Sequence, residues 1–210
     1  GYTNTWKGFT WDSNFTFSTN KNRIKELADN AINPITGETF SLKTLNVGGL
    51  GETRFLLKEG GSMGDVYSLI DLKRDSNGNI LIDANGQPST QTIQNPDDYI
   101  KLGSALPKAN LGWSNNFNWK NFNLGFLISA RLGGIVFSRT QAMLDYYGVS
   151  EASADAGDLG HVVVNGNDYI NPQTWYSVIG SGTSVPQYYT YSATNVRLQE
   201  VSFGYTFPRR

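Results

Sequence analysis

ANLGWSNNFNW (Ala109–Trp119) and FNLGFLISARL (Phe122–Leu132), separated only by Lys120-Asn121, decide the fold. In the first, Ala109, Leu111, Trp113, Phe117 and Trp119 share one parity, with Asn115 the single exception. Asn110, Gly112, Ser114, Asn116 and Asn118 share the other. The second sets Phe122, Leu124, Phe126, Ile128, Ala130 and Leu132 against Asn123, Gly125, Leu127, Ser129 and Arg131. Strand side chains alternate with period two, so both stretches read as strands with one apolar face. A two-residue turn at Lys120-Asn121 puts Trp119 opposite Phe122, Phe117 opposite Leu124, Trp113 opposite Ile128 and Leu111 opposite Ala130. A slip of one residue would put every one of them on the wrong face.

Length turns this hairpin into a membrane argument. Eleven residues at about 3.3 Å each, tilted by about 45°, rise roughly 25 Å, the height of an outer-membrane barrel's apolar band. Soluble strands usually run about 5–6 residues. The apolar face is rich in aromatics, and Trp119 and Phe122 flank the turn, where an interfacial girdle lies. The opposite face, Asn, Ser and Gly with Arg131, suits a wet lumen better than a dry core.

Composition agrees. The chain has 210 residues, 23 Gly, 13% aromatics, no Cys and a formal net charge of −1. That balance gives no basic face for nucleic acid, and the lack of Cys excludes disulfides and Cys-based metal sites. No stretch reaches the roughly eighteen apolar residues of a transmembrane helix, although barrel strands need none. Gly1 opens directly into Tyr2-Thr3-Asn4, so no signal peptide is seen and a fragment or processed piece is expected.

The same pattern recurs along the chain. Thr5-Trp6-Lys7-Gly8-Phe9-Thr10 echoes Asn118-Trp119-Lys120-Asn121-Phe122-Asn123, a short turn followed by a strand. Phe9, Trp11, Phe15 and Phe17 then alternate with Thr10, Asp12, Asn14, Thr16 and Ser18. Near the end Val201, Phe203, Tyr205 and Phe207 alternate with Glu200, Ser202, Gly204 and Thr206 until Pro208. Between these strands the chain is polar. A short helical turn is expected at Arg23–Ala31, and a β-ribbon with type I′ turns at Asn77-Gly78 and Asn85-Gly86. Phe137–Tyr191 is too long for a tight connection, which makes it functional or partly disordered. Short turns on one side and long loops on the other is the asymmetry of bacterial barrels. By parity, Asn20–Lys108 crosses the membrane twice or not at all, with Arg54–Lys58 and Val66–Leu72 the segments able to cross.

A family resemblance rests on these segments in order. Ile100-Lys101-Leu102-Gly103-Ser104-Ala105-Leu106-Pro107-Lys108, followed by Leu111-Gly112-Trp113-Ser114-Asn115, resembles a G-x-x-x-P-K/R-x-x-x-G run. It leads into a hairpin strand opening Asn121-Phe122-Asn123-Leu124 and ending Leu132-Gly133-Gly134. Ala193–Pro208 is similar to S-x-x-R-L-x-x-x-x-L-G-Y-x-F-P, and Glu59-Gly60-Gly61-Ser62-Met63-Gly64-Asp65-Val66-Tyr67 extends the likeness. Together they resemble the C-terminal barrel region of SusC/RagA-type TonB-linked outer-membrane proteins. The resemblance implies an antiparallel transmembrane β-barrel of 22 strands around a plug domain, gated by a TonB box. It also implies import of oligosaccharides or peptides beneath a SusD-like surface lipoprotein. Set against that pattern, residues 1–210 are expected to be part of the barrel of an all-β outer-membrane protein, surrounded by lipid. Residues 133–191 would be a long extracellular loop, and the plug, TonB box and closing strands would lie elsewhere.

Residues able to carry chemistry are few. His161 has no identifiable triad or metal partners, so a surface role is expected. Asp71, Asp75, Asn77, Asn79 and Asp83 hint at a calcium loop. Gly78 stands fourth from Asp75 rather than sixth and no closing Glu follows, so a plain hairpin is favoured and no cofactor is expected. Tyr146, Tyr147, Trp175, Tyr176, Tyr188, Tyr189 and Tyr191 form an aromatic group suited to stacking on sugar rings or packing the loop. Arg131, opposite Asn110 on the lumenal face, is placed to line a transport path or meet a plug carboxylate. No carboxylate pair, phosphate-cradling loop or nucleophile elbow is present, so no enzyme is expected. A passive barrel or adhesin, and a soluble β-rich glycan- or protein-binding domain with the aromatics buried between sheets, are the competing classes.

Overall fold

Alternating side chains organise the first of two units, formed by Gly1–Lys21, Leu106–Gly134 and Ser192–Arg210 in a computed structural model that describes residues 1–182 and 184–208. Its sheet contains β1 (Tyr2–Trp6), β2 (Phe9–Thr19), β3 (Ala109–Trp119), β4 (Phe122–Leu132) and β5 (Asn195–Tyr205), side by side in chain order. Every neighbouring pair is antiparallel. The hairpin register is the expected one, from Trp119 opposite Phe122 to Ala109 opposite Leu132.

Two-residue turns join β1 to β2 and β3 to β4. Lys7 and Gly8 both take positive φ, 44° and 81°, as a type I′ turn requires, and Lys120 takes 52°. Both turns lie at one end of the sheet, since Phe9 is opposite Trp119. The connections 20–108 and 133–194 leave from the other end. β2 pairs directly with β3 over all eleven residues of each strand. The first connection therefore inserts no strand between them.

β5 needs one adjustment. Val201, Phe203 and Tyr205 have odd parity, whereas Val196 and Leu198 have even parity. A bulge opposite Leu127/Ile128 absorbs Gln199 and restores all five to the face shared with Ile128 and Phe126.

The second unit comprises Asn22–Ala105 and Ile135–Tyr191. A four-stranded sheet runs in the order Ile100–Ser104, Asp65–Ser68, Thr53–Lys58, Thr44–Asn46. Arg54–Lys58 and the start of Val66–Leu72 therefore lie in this short-stranded sheet, where Leu56 and Val66 are buried, and Ile70–Leu72 pairs instead with Thr90–Thr92 in a separate two-stranded sheet. The Gly60–Asp65 stretch is a structural turn: Gly60 has φ 82°, and the Asp65 carboxylate accepts from Ser62 N–H at 3.0 Å and from Lys101 Nζ at 2.5 Å.

Arg23–Ala31 forms no helix. Ala28–Ile32 is a strand pairing with Thr39–Leu42, interrupted where Asn30 takes φ 49° and its N–H reaches Ser41 Oγ. Asn33 precedes Pro34, which disfavours continuing helix there. The described residues between Phe137 and Tyr191 form α1 (Arg139–Tyr146), α2 (Glu151–Leu159) and α3 (Pro172–Ile179). Their starts follow short local signals. Ser138 accepts from Gln141 N–H, Ser150 and Ser153 form a capping box, and Asn171 caps α3 ahead of Pro172. Leu72 and Ile80 from the first connection and Ala142, Val164, Ile170, Trp175, Ile179, Val185 and Tyr189 from the second share one hydrophobic core. Strand accounts for 47% of the chain and helix for 15%, and among the described residues no helix is long and apolar enough to cross a membrane.

Candidate functional site

Three surfaces follow from this arrangement: two faces of the long sheet and a cavity among the helices of the second unit. On the apolar face Phe15 is 61% exposed and Phe203 70%, and Phe17, Trp113, Leu124, Leu198 and Val201 are exposed as well. Among the described residues no second layer buries them. Ring contacts run along the surface, with Trp11 stacked on Phe117 and Phe126 edge-on to Trp113.

Asn115, the break in the apolar pattern, is 1% exposed at the middle of this face. It sits directly opposite Ser13. Trp11 Nε1 donates across the β2–β3 joint to Asn115 Oδ1 at 2.9 Å, and Trp113 Nε1 donates the opposite way to Ser13 Oγ at 3.0 Å. Two indoles thus cover a polar pair in reciprocal diagonals, although Asn115 Nδ2 has no acceptor among the described residues. Sequence reasoning identified Asn115 as an exception without assigning it a partner. The signal was available: a second polar residue, Ser13, breaks the other strand at the matching position.

The polar face is closely fitted. A Cβ on Gly112 would stand 2.5 Å from Thr16 Oγ1, and one on Gly125 2.5 Å from Ser202 Oγ and 2.7 Å from Asn116 Oδ1. Glycine is what lets those side chains lie across the strands. Asn123 Nδ2 donates to Asn118 Oδ1 at 2.7 Å. Arg131 stands opposite Asn110 on one side and Asn195 on the other, half-buried on this face.

In the second unit a cavity of about 300 Å³ is lined by Asp145, Tyr146, Tyr147, Gly148, Ser153, Gly157, Pro172, Gln173 and Tyr176. It gathers three members of the aromatic group from the end of α1 and the first turns of α3. Tyr146 and Tyr147 meet edge to face at 5.0 Å, and Tyr147 is 67% exposed. Tyr176 donates its hydroxyl to Ala152 O at 3.1 Å. Burial, then the nearby Asp145 and Asp155 carboxylates, raise the Tyr176 phenol above its ordinary pKa, so it remains protonated and able to donate.

The other members of the group stand elsewhere. Trp175 and Tyr189 are core residues at 7% and 1% exposure, and Tyr188 packs edge-on to Trp175 at 5.5 Å. Burial first, then Asp145, pushes the Tyr189 phenol far up. Burial also raises Tyr188 and Tyr191. Aromaticity alone did not separate core rings from cavity rings; the apolar spacing Trp175–Ile179 on α3 does.

The acidic ribbon consists of two hairpin turns of one design. Asp75 Oδ1 accepts from the N–H groups of Asn77 and Asn79, and Asp83 Oδ1 from those of Asn85 and Gln87. Only Gly78 and Gly86 take positive φ, 87° and 77°. These are therefore three-residue turns with a left-handed glycine rather than type I′ turns, and the Asp side chain replaces the second positive-φ residue as the organising element. Of those N–H bonds, the one from Asn79 is the main cause holding the Asp75 carboxyl below its ordinary pKa. Among the described residues, no group of three or more His, Cys, Asp or Glu side chains is placed to hold a metal. His161 packs edge-on to Tyr169 at 4.7 Å. Asn165, which sequence reasoning missed, brackets Ile80: its Oδ1 accepts from Ile80 N–H at 2.8 Å and its Nδ2 donates to Ile80 O at 2.9 Å.

No family model matches the chain. It is similar to TonB-dependent receptor P3 of Formosa agariphila, 24% identical over 217 residues, a match covering 95% of this chain and 20% of the relative. The chain resembles part of a TonB-dependent receptor. It spans about a fifth of that relative's length. The likeness drawn from the segments at Ile100–Asn115 and Ala193–Pro208 is thereby borne out.

Proposed function

We propose that this chain is part of the C-terminal barrel wall of a SusC/RagA-type importer in the bacterial outer membrane. The parent is a 22-stranded barrel whose plug and TonB box lie outside these residues. It takes up oligosaccharides or peptides together with a SusD-like surface lipoprotein. The observation that carries this reading is the aromatic face of the long sheet: eleven-residue strands with Phe15 and Phe203 uncovered. A soluble sandwich would bury those rings beneath a second layer. Similarity to a TonB-dependent receptor favours an importer over a passive barrel or adhesin.

On this reading the two-residue turns are periplasmic and the connections 20–108 and 133–194 are extracellular. Neither connection crosses the membrane, because each joins strands that are direct neighbours. Tyr146, Tyr147 and Tyr176 offer ring faces to an incoming ligand, and Tyr146 and Tyr147 phenol donors, with Gln173 and Asp145 beside them. Arg131 and Asn110 line the pore wall facing the plug.

The test uses the intact receptor in outer membranes, with single cysteines replacing Phe15 or Phe203 on one face and Asn14 or Ser114 on the other. A membrane-impermeant thiol reagent admitted to the pore should label only the second pair until detergent is added. Equal labelling of both faces in the native membrane would overturn the reading.

A further inference from the structure

The two hairpin turns of the long sheet share a design that a turn does not require. Each reads Trp-Lys at its start, Trp6-Lys7 and Trp119-Lys120, and each puts the lysine in the left-handed region, at φ 44° and 52°. Gly, Asn and Asp adopt that conformation readily; a lysine there is held against its preference. An observed backbone outlier of this kind argues for a role of the side chain. In both turns the ammonium lies over the preceding indole, 5.4 Å from the Trp6 ring centroid and 5.2 Å from that of Trp119. Lys120 N–H donates to Gly8 O at 3.3 Å, so the two turns are adjacent.

Charge is one-sided there. Across residues 5–9, 118–123 and 203–208 the two lysines are the only charged side chains, and both are exposed. Trp6, Trp119, Phe122, Tyr205 and Phe207 are exposed around them. An apolar ring girdle with cations at its rim matches the boundary between acyl chains and anionic headgroups.

We propose that the Lys7 and Lys120 turns form a binding surface for anionic phospholipid headgroups of the periplasmic leaflet. The indoles anchor in the acyl boundary and aim each ammonium at a headgroup phosphate. This rests on the membrane reading above. The indole beneath each ammonium reduces the orientations it samples, so less freedom is lost when a phosphate binds.

The experiment uses the full-length receptor in vesicles of phosphatidylcholine doped with phosphatidylglycerol. The lipid retained on the receptor after extraction is identified by mass. The variant is K7N/K120N, which keeps both tryptophans and gives the left-handed positions a residue that favours them, so folding should be unharmed. Native receptor should retain phosphatidylglycerol in excess over the bulk composition, and that excess should fall by roughly fivefold for each lysine removed and shrink with added salt. K73N, a lysine substitution in the second unit, should leave it unchanged. A membrane-inserted receptor whose native and K7N/K120N forms retain the same lipid would refute the headgroup surface while leaving the membrane reading intact. A receptor that does not insert into these vesicles would overturn both.

Discussion

Removing the Trp11 indole nitrogen tests whether the Trp11–Asn115 and Trp113–Ser13 diagonals hold the β2–β3 joint. Trp11→Phe leaves Asn115, 1% exposed and with Nδ2 already lacking an acceptor, with neither end of its amide paired. A buried polar group left unsatisfied costs about 1–3 kcal/mol, and the smaller ring forfeits about 1 kcal/mol of burial at roughly 25 cal/mol per Å². The single variant should thus lose about 2–4 kcal/mol. Asn115→Leu added to it removes the orphaned amide and should restore most of the first part, making the double variant more stable than Trp11→Phe alone. The coupling between the two sites should be on the order of 1 kcal/mol. Urea unfolding of the receptor in lipid vesicles gives the energies. A cysteine pair replacing Asn14 and Ser114, partners on the opposite face, reports register by disulfide formation without touching the diagonals. Strictly additive variants, or a Trp11→Phe loss no larger than the ring alone explains, would show that the indole merely covers the amide.

Three further outcomes separate core from site. Trp175→Ala should destabilise the second unit by about 3–5 kcal/mol, whereas Tyr147→Ala should change stability by under about 0.5 kcal/mol yet weaken ligand binding roughly tenfold; thermal melts beside a titration with the imported ligand distinguish them. Asn165→Ala strands the Ile80 N–H and carbonyl and should cost about 1–3 kcal/mol, visible as faster hydrogen exchange confined to the ribbon 74–82. The Asp75 carboxyl has a folded pKa below its ordinary 3.8, held there first by the Asn79 N–H. Its contribution is therefore complete above that value and lost as pH falls through the lower folded pKa. The protection of Gly78 relative to its intrinsic exchange rate should fall only in that acidic range, and a loss of protection at pH 5 would contradict the assignment.

Legibility followed the strength of the periodic signal. β2, β3 and β4 were readable because eleven alternating positions vote on the two faces, β5 was readable from Glu200 onward, and even the Trp119–Phe122 register followed from the turn. The bulge at Gln199 was hidden because the alternation visible from Val201 onward says nothing of the even-numbered Leu198 and Val196. Helices α1–α3 contain 8, 9 and 8 residues, too few turns for a period of 3.6 to emerge; their capping residues Ser138, Ser150 and Asn171 were the stronger cue. The extended path at Arg23–Ala31 depends on Ser41, which no local pattern supplies. Of the aromatic group, Tyr146, Tyr147 and Tyr176 line one cavity, whereas Trp175 and Tyr189 point into the core because Leu72 and Ile80 arrive from the other connection.

The connections also explain how long strands can pair across large insertions. A flexible loop of this length adds a closure cost that grows as the logarithm of its size, and a two-residue turn is not there to set the register. Both connections shorten the problem at their own stems. In the first, Asn22 Oδ1 accepts from Met63 N–H at 2.8 Å and from Ser62 Oγ at 3.1 Å, while Ala105 N–H donates to Gly64 O at 2.8 Å. Entry and exit are thus pinned to one turn, the glycine-rich stretch ending at Asp65. In the second, Ile135–Phe137 pairs with Thr190–Ser192. Each insertion returns the chain beside its point of departure, so that the diagonals around Asn115 at one joint and the bulge at Gln199 at the other have only the register left to decide.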